Sequence, residues 1–177
     1  MVTGEIRTQR FLLRPPALAD AERITELVRD PRIYEKVARI PPGQSVEQTG
    51  KWILNGQRGN ELGTDHVFLI VETGEVIGTV GAHRPATSEP FEIGYWIAPH
   101  AWGLGVATEG ARALIGWLDA RGQAGTLVSG HFADNPASGR VLEKLGFEVT
   151  ETGPVYCLGR GREIDHVFMK RTGQALV

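Results

Sequence analysis

The sequence predicts an α+β (mixed α/β) fold, with one mixed sheet and helices on its faces. Three observations carry this. Val67 to Val71 and Val76 to Ala82 are apolar, strand-forming runs joined at Thr73-Gly74, the pattern of an antiparallel hairpin. Phe91 to Ile97 leads through a long helix to Leu127 to Phe132, a crossover that should pair parallel and right-handed. Helical and strand patterns alternate over 177 residues without an internal repeat. Hairpins and a crossover in one chain require a mixed sheet covered by helices.

The elements follow in order. Phe11-Leu12-Leu13 reads as a short first strand, stopped at Pro15-Pro16. Asp20 is placed to cap a helix carrying Ile24, Leu27 and Val28, which ends before Pro31. Ser45 and Gln48 have the spacing of a capping box, and Trp52, Ile53 and Gly56 share a face of the helix that follows. After the hairpin, Thr87 to Pro90 is a loop and Phe91 to Ile97 a strand. Ala107, Ala111, Leu114 and Leu118 step by four, three and four residues along one face of the long helix, which ends at Gly122 and Gly125. Asn135 is expected to cap the last helix, with Pro136 in its first turn and Gly146 as its left-handed stop. Ser138, Val141, Leu142 and Leu145 form that helix's inner face. Phe147 to Val149 begins the next strand, and Thr152 to Glu163 reads as a turn-rich hairpin region before a closing strand at His166 to Lys170.

Composition bounds the function. The length fits a single domain over residues 1–177 that buries a sizeable core without metal or disulfide staples. Nineteen basic and 21 acidic residues give a net charge of −2, which disfavours a nucleic-acid binder held by phosphate contacts. The single cysteine, Cys157, forms no internal disulfide, so a reducing, cytoplasmic setting is expected. Met1 to Arg10 has no apolar core of signal-peptide length, and no apolar run approaches membrane-span length. The five histidines show no metal-site spacing, so no metal is expected.

The informative segment is His100-Ala101-Trp102-Gly103-Leu104-Gly105-Val106-Ala107, between a strand and a helix. Glycines let the backbone approach a ligand, and the free N–H groups at a helix start attract anions. A phosphate-bearing cofactor fits this junction; so does a plain tight turn. A dinucleotide fingerprint would need a third glycine where Thr108 stands, and the Gly-Lys-Ser/Thr of a P-loop is absent.

With Gly94-Tyr95-Trp96-Ile97 before it and Thr108-Glu109 after it, this run resembles the acyl-CoA loop of the GNAT superfamily of N-acetyltransferases. His100 departs from that loop's usual Gln or Arg. Asn135-Pro136-Ala137-Ser138 with Leu142-Glu143-Lys144-Leu145-Gly146-Phe147, and the opening Arg10-Phe11-Leu12-Leu13-Arg14-Pro15-Pro16, are similar to the branch that acetylates ribosomal-protein N-termini. The resemblance implies a sheet that splays between its fourth and fifth strands. It implies acetyl-CoA as donor, with the pantetheine arm on strand backbone near Tyr95 to Ala98, Ile97 included. It places the pyrophosphate on amides of Trp102, Gly103, Leu104, Gly105, Val106 and Ala107, and brings Asn135 and Ser138 to the cofactor.

Acetyl transfer to an amine needs a proton acceptor and a stabilised carbonyl oxygen, and is helped by an acid at the departing thiolate. Glu92, on the strand leading to the loop, is the first candidate base, acting through a water; a solvent-facing carboxylate or an arginine partner reads equally well. Tyr95 has the opposite face parity and is expected in the core with its hydroxyl anchored. Ser138 is a polar residue on an apolar helical face, and the resemblance puts it near the CoA sulfur; bonding to its own helix backbone is the alternative. Where many superfamily members carry a tyrosine acid, this chain has Leu142. His83 and His131 are expected to be structural, Cys157 buried, and Trp52 and Tyr34 either core or acceptor wall.

The expected activity is acetyl transfer to a primary amine in a ternary complex. The acceptor is a protein N-terminus or a small-molecule amine, aminoglycosides included. No nucleic acid or membrane partner is expected, and the protein is a monomer or homodimer. The alternatives are a non-catalytic CoA-binding regulatory module and a nucleotide-binding protein.

Overall fold

The computed structural model describes residues 4–173. Met1 to Thr3 of the opening segment, and both ends of the domain expected over 1–177, lie outside them. The strands are β1 (Ile6–Arg7), β2 (Leu12–Arg14), β3 (Asp65–Glu72), β4 (Glu75–His83), β5 (Phe91–Ile97), β6 (Thr126–Phe132), β7 (Glu148–Cys157) and β8 (Arg162–Thr172). The helices are α1 (Ala21–Val28), α2 (Pro31–Tyr34), α3 (Val46–Leu62), α4 (Val106–Asp119) and α5 (Pro136–Lys144). The strands form one sheet in the order β1-β2-β3-β4-β5-β6-β8-β7. All pairs are antiparallel except β5 with β6. This is a mixed sheet covered by helices, with the hairpin and the parallel crossover where the sequence puts them.

The two faces of the sheet hold separate cores. Phe68, Ile70, Val80, Phe91 and Ile93 pack with Leu114, Ile115 and Leu118 of α4 and Leu142 of α5. Leu69, Val71 and Val76 face the other way, against Ile24, Val28, Ile33 and Ile53 of the first three helices. Strand alternation produces this division, since neighbouring residues point to opposite faces.

Local chemistry confirms several expectations. In the capping box, the Ser45 Oγ accepts from the Gln48 N–H at 3.1 Å, and the Gln48 Oε1 accepts from the Ser45 N–H at 2.7 Å. Thr73 and Gly74 both have positive φ, 46° and 88°, as a tight hairpin turn demands. Gly146 stops α5 with φ 84°.

Three expectations need correction. Asp20 makes no side-chain cap on α1. Its carboxylate instead accepts from both Arg14 terminal nitrogens at 2.8 Å and from the Ala17 N–H. A bidentate arginine is the stronger partner for a carboxylate. α1 ends at Val28, before Pro31 as expected, and Pro31 then opens a further short helix, α2, whose N-cap, Asp30, accepts from the Arg32 N–H. Asn135 makes no side-chain cap on α5, because its backbone is turned to φ −120° and ψ 64°. Finally, the hairpin expected over Thr152 to Glu163 is present, but most of that stretch is strand rather than turn. β7 runs straight through Gly153 and Pro154 and turns only at 158–161. As the last strand of the sheet, β7 leaves one edge unpaired, where proline's missing N–H costs little.

The feature that positions the site is the junction of β5 and β6. They pair only at Phe91 with Leu127 and Glu92 with Val128, and then diverge. At the fork, the Ser129 hydroxyl donates to the Ile93 carbonyl at 2.7 Å. Beyond it, the β6-facing backbone of β5 has no strand partner, and a wedge opens through the sheet.

Candidate active site

The wedge leads into a cavity of about 740 Å³. Its walls come from β4, β5, β6 and β8, the N-terminal turn of α5, α3, and the segment after α2. Glu92 and Trp96 point to the α3 face of the sheet and Tyr95 to the α5 face, yet all three line the cavity with Ser138. Only a splayed sheet lets side chains of opposite parity share one site.

The glycine-rich junction lies at the end of β5. A 3₁₀ turn at Pro99–Ala101 follows the strand, and α4 begins at Val106. Gly103 and Gly105 both have φ 75°, which bends the loop across the start of α4. A Cβ at Gly103 would meet nothing within 4 Å, and one at Gly105 only the Arg10 Nη2 at 3.6 Å. The glycines are therefore required for backbone conformation rather than for space. The loop's side chains are less free than expected. The Trp102 indole N–H donates to the Ile97 carbonyl at 2.7 Å, and Val106 is buried in the core. Ala98 donates its N–H to Ile77 at 2.8 Å, so this amide is already engaged. Tyr95 lies between Ile93 and Ile97, whose carbonyls both face away from β4 toward the wedge side, so its own backbone groups face the open wedge.

Arg10 braces this loop from the first strand pair. Its Nη1 donates to the Leu104 carbonyl at 2.9 Å and its Nε to Glu109 at 2.7 Å. The Thr8 hydroxyl donates to the same carboxylate at 2.6 Å. These bonds offset the burial of Glu109 and hold its carboxyl below the usual range. The charge of Glu109, in the first turn of α4, is thus matched beside a loop built for anions.

The Tyr95 hydroxyl lies 2.9 Å from the Ser138 Oγ and donates to the Ser138 carbonyl at 3.1 Å. Burial pushes its pKa up to about 12, against the opposing hydrogen bond from Ser138. Tyr95 is therefore a neutral, anchored phenol, as expected. Ser138 is anchored by Tyr95 rather than by its own helix, and both sit where β5 faces α5. Leu142, one turn on, is fully buried. Asn135, half-buried just before α5, is not among the residues around the cavity.

Glu92 is in the cavity wall with its side chain 53% exposed, and the Arg39 Nη2 donates to it at 3.3 Å. Both readings of this carboxylate meet here: it faces the cavity and partners an arginine. Trp52 lines the cavity, whereas Tyr34 lies outside it, and Cys157 is buried. His83 Nδ1 lies 2.6 Å from Asp65 Oδ1. The reading along the chain missed Asp65, Lys36, Arg39 and His166, all of which reach the cavity. His166 reads from the sequence only as the first residue of the closing strand. Nothing in the sequence shows that β8 sits beside β6. Among the described residues, no cluster of three metal-ligating side chains occurs, and no helix is long and apolar enough to cross a membrane.

Residues 10–148 match the family model of the acetyltransferase (GNAT) domain. This chain belongs to the GNAT acetyltransferases. It is 32% identical over 152 residues to YoaA, an uncharacterised N-acetyltransferase of Bacillus subtilis, covering 81% of this chain and 82% of that one. It is 30% identical over 105 residues to the ribosomal-protein-serine acetyltransferase of Escherichia coli, 59% of each chain. The fold matches that of RimL, a ribosomal L7/L12 alpha-N-protein acetyltransferase solved with coenzyme A, with a TM-score of 0.85 at 19% identity over 96% of this chain and 98% of that one. The protein is an acetyl-CoA-dependent N-acetyltransferase, and acetyl-CoA is its acetyl donor. The positive-φ loop at the head of α4 and the open wedge beside Tyr95 fit that donor's diphosphate and its narrow arm.

Proposed function

We propose that this acetyltransferase acts on the α-amine of a peptide or protein N-terminus rather than on a polycationic small molecule such as an aminoglycoside. One observation carries this: the cavity is wide, and its charge is not acidic. Lys36, Arg39 and Lys51 reach it, against Asp65 and Glu92. Asp65 is already held by His83 and Thr64, and Glu92 by Arg39, so a polycation would find both carboxylates partnered and would meet like charges beside them. The name of the Escherichia coli relative supports the same acceptor class.

In this reading, the amides of Trp102, Gly103, Leu104, Gly105, Val106 and Ala107 receive the diphosphate at the start of α4. Tyr95 and Ile97 guide the pantetheine arm along the wedge. Ser138, held by Tyr95, lies by the sulfur and stabilises the departing thiolate with its hydroxyl. Glu92 meets the incoming ammonium at the cavity wall. No enzyme nucleophile is required, since the amine attacks the thioester directly.

The test is release of free thiol from acetyl-CoA with a panel of acceptors. Peptides beginning with Ser or Ala are expected to turn over faster than aminoglycosides by kcat/KM. Faster aminoglycoside turnover overturns the acceptor class.

A further inference from the structure

Before an α-ammonium can attack, it must lose a proton to a group within reach. The Glu92 carboxylate is largely exposed and shared with Arg39, so it suits charge attraction better than proton abstraction. A second group in the same cavity is better built for that step. His131, near the end of β6, is half-buried and lines the cavity beside Ser138. Its Nδ1 lies 2.9 Å from the Phe132 carbonyl oxygen. A carbonyl only accepts, so Nδ1 carries the hydrogen and the lone pair of the neutral ring is fixed on Nε2.

The position of that ring is built into α5. A Cβ at Gly139 would lie 2.7 Å from the His131 Nε2, 3.0 Å from Cε1 and 3.2 Å from Cδ2. A glycine inside a helix costs about 1 kcal/mol relative to alanine. At this buried position the glycine makes room for the imidazole against the helix turn that carries Ser138. The ring is thus held between the fork of the sheet and the start of α5.

Building on the acetyl-transfer reading above, we infer that His131 is the catalytic base. Its Nε2 takes one proton from the acceptor's ammonium, leaving a lone pair on the amine nitrogen. That pair forms the C–N bond at the thioester carbonyl, and the C–S bond breaks with its electrons on sulfur. The nitrogen's second proton goes to the departing sulfur, giving the free thiol, and His131 returns its proton to solvent. The charged and titratable groups that line the same cavity are Glu92 and Tyr95 on β5, His166 on β8, Asp65 and His83 on β3 and β4, Lys51 on α3, and Lys36 and Arg39 in the segment after α2. Burial, reinforced by the charge of His131, holds His166 below the ordinary histidine range.

The experiment compares wild type, His131→Gln and Glu92→Gln. It follows thiol release across pH 5.5–9 with the best acceptor from a panel of Ser- and Ala-initiated peptides and free amino acids. In wild type, kcat is expected to fall below the imidazole range of about 6.5. His131→Gln should lose that limb and about a hundredfold in kcat, the scale of general-base catalysis, while acetyl-CoA affinity by calorimetry stays within twofold. Glu92→Gln should keep the limb and raise the acceptor KM. A limb that survives in His131→Gln, or vanishes in Glu92→Gln, overturns the assignment while leaving the acetyltransferase reading intact. Wild type inactive on the whole panel overturns the acceptor class and the assignment together. Nitrogen-15 shifts of His131 in the wild-type protein give a check independent of the variants: hydrogen on Nε2 in the neutral ring overturns it.

Discussion

Gly105 holds the left-handed turn from which α4 starts, at φ 75° and ψ 11°. An L-residue with a Cβ pays roughly 1–2 kcal/mol in that conformation. Space is not the obstacle, since the nearest heavy atom to such a Cβ is the Arg10 Nη2 at 3.6 Å. The Gly105→Ala chain is therefore expected to fold, but with its loop displaced from the shape that presents the amides. If binding must restore that shape, the whole strain appears in CoA affinity. At about 1.4 kcal/mol per tenfold, this is roughly a five- to thirtyfold weakening. Gly105→Asn should lose less, because asparagine tolerates left-handed backbone. Gly116→Ala is the control: it lies within α4, and a Cβ there meets nothing within 4 Å. It should leave CoA affinity unchanged and raise stability by about 0.5–1 kcal/mol. Titration calorimetry with CoA reads all three. A folded Gly105→Ala that binds CoA like wild type refutes the reasoning, as does equal loss in the alanine and asparagine variants.

Two further outcomes are expected. Ser138→Ala should lower kcat about tenfold with CoA affinity nearly unchanged, because its hydroxyl meets the thiolate only as the C–S bond breaks; stopped-flow thiol release checks this, and wild-type turnover would remove Ser138 from the mechanism. Asp20 is held below the usual carboxylate range by Arg14, against a smaller opposing effect of burial. Its folded value being depressed, the stabilisation is present above about pH 4 and is lost as pH falls through the folded value. Urea melts at pH 7 and pH 3 should therefore show Arg14→Ala costing stability at the higher pH and much less at the lower.

The local features of the site were largely legible from residues alone. Gly103 and Gly105 before an amphipathic helix mark the positive-φ loop at the head of α4 because glycine spacing and apolar period are short-range signals. Ser138 stood out as a polar residue on an apolar face, which signals a partner without naming it. Capping was less legible. Asp20 and Asn135 are good cap residues by type, but Arg14 claims one carboxylate and the backbone turn before α5 misdirects the other side chain. The strand through Gly153 and Pro154 was hidden because turn residues are tolerated on a sheet edge, and being an edge is a property of the assembled sheet.

The sequence by itself determined the alternation of strands and helices, the hairpin turn and the glycine loop at the head of α4, since each depends on residues within one or two turns of each other. Tertiary structure alone decided that Tyr95 anchors Ser138, that Glu92, His131 and His166 share one cavity, and that residues of opposite strand parity meet in it. The physical reason is the short β5–β6 ladder, which ends after two residue pairs. Where that pairing stops, the sheet opens, and its two faces become the two walls of one site.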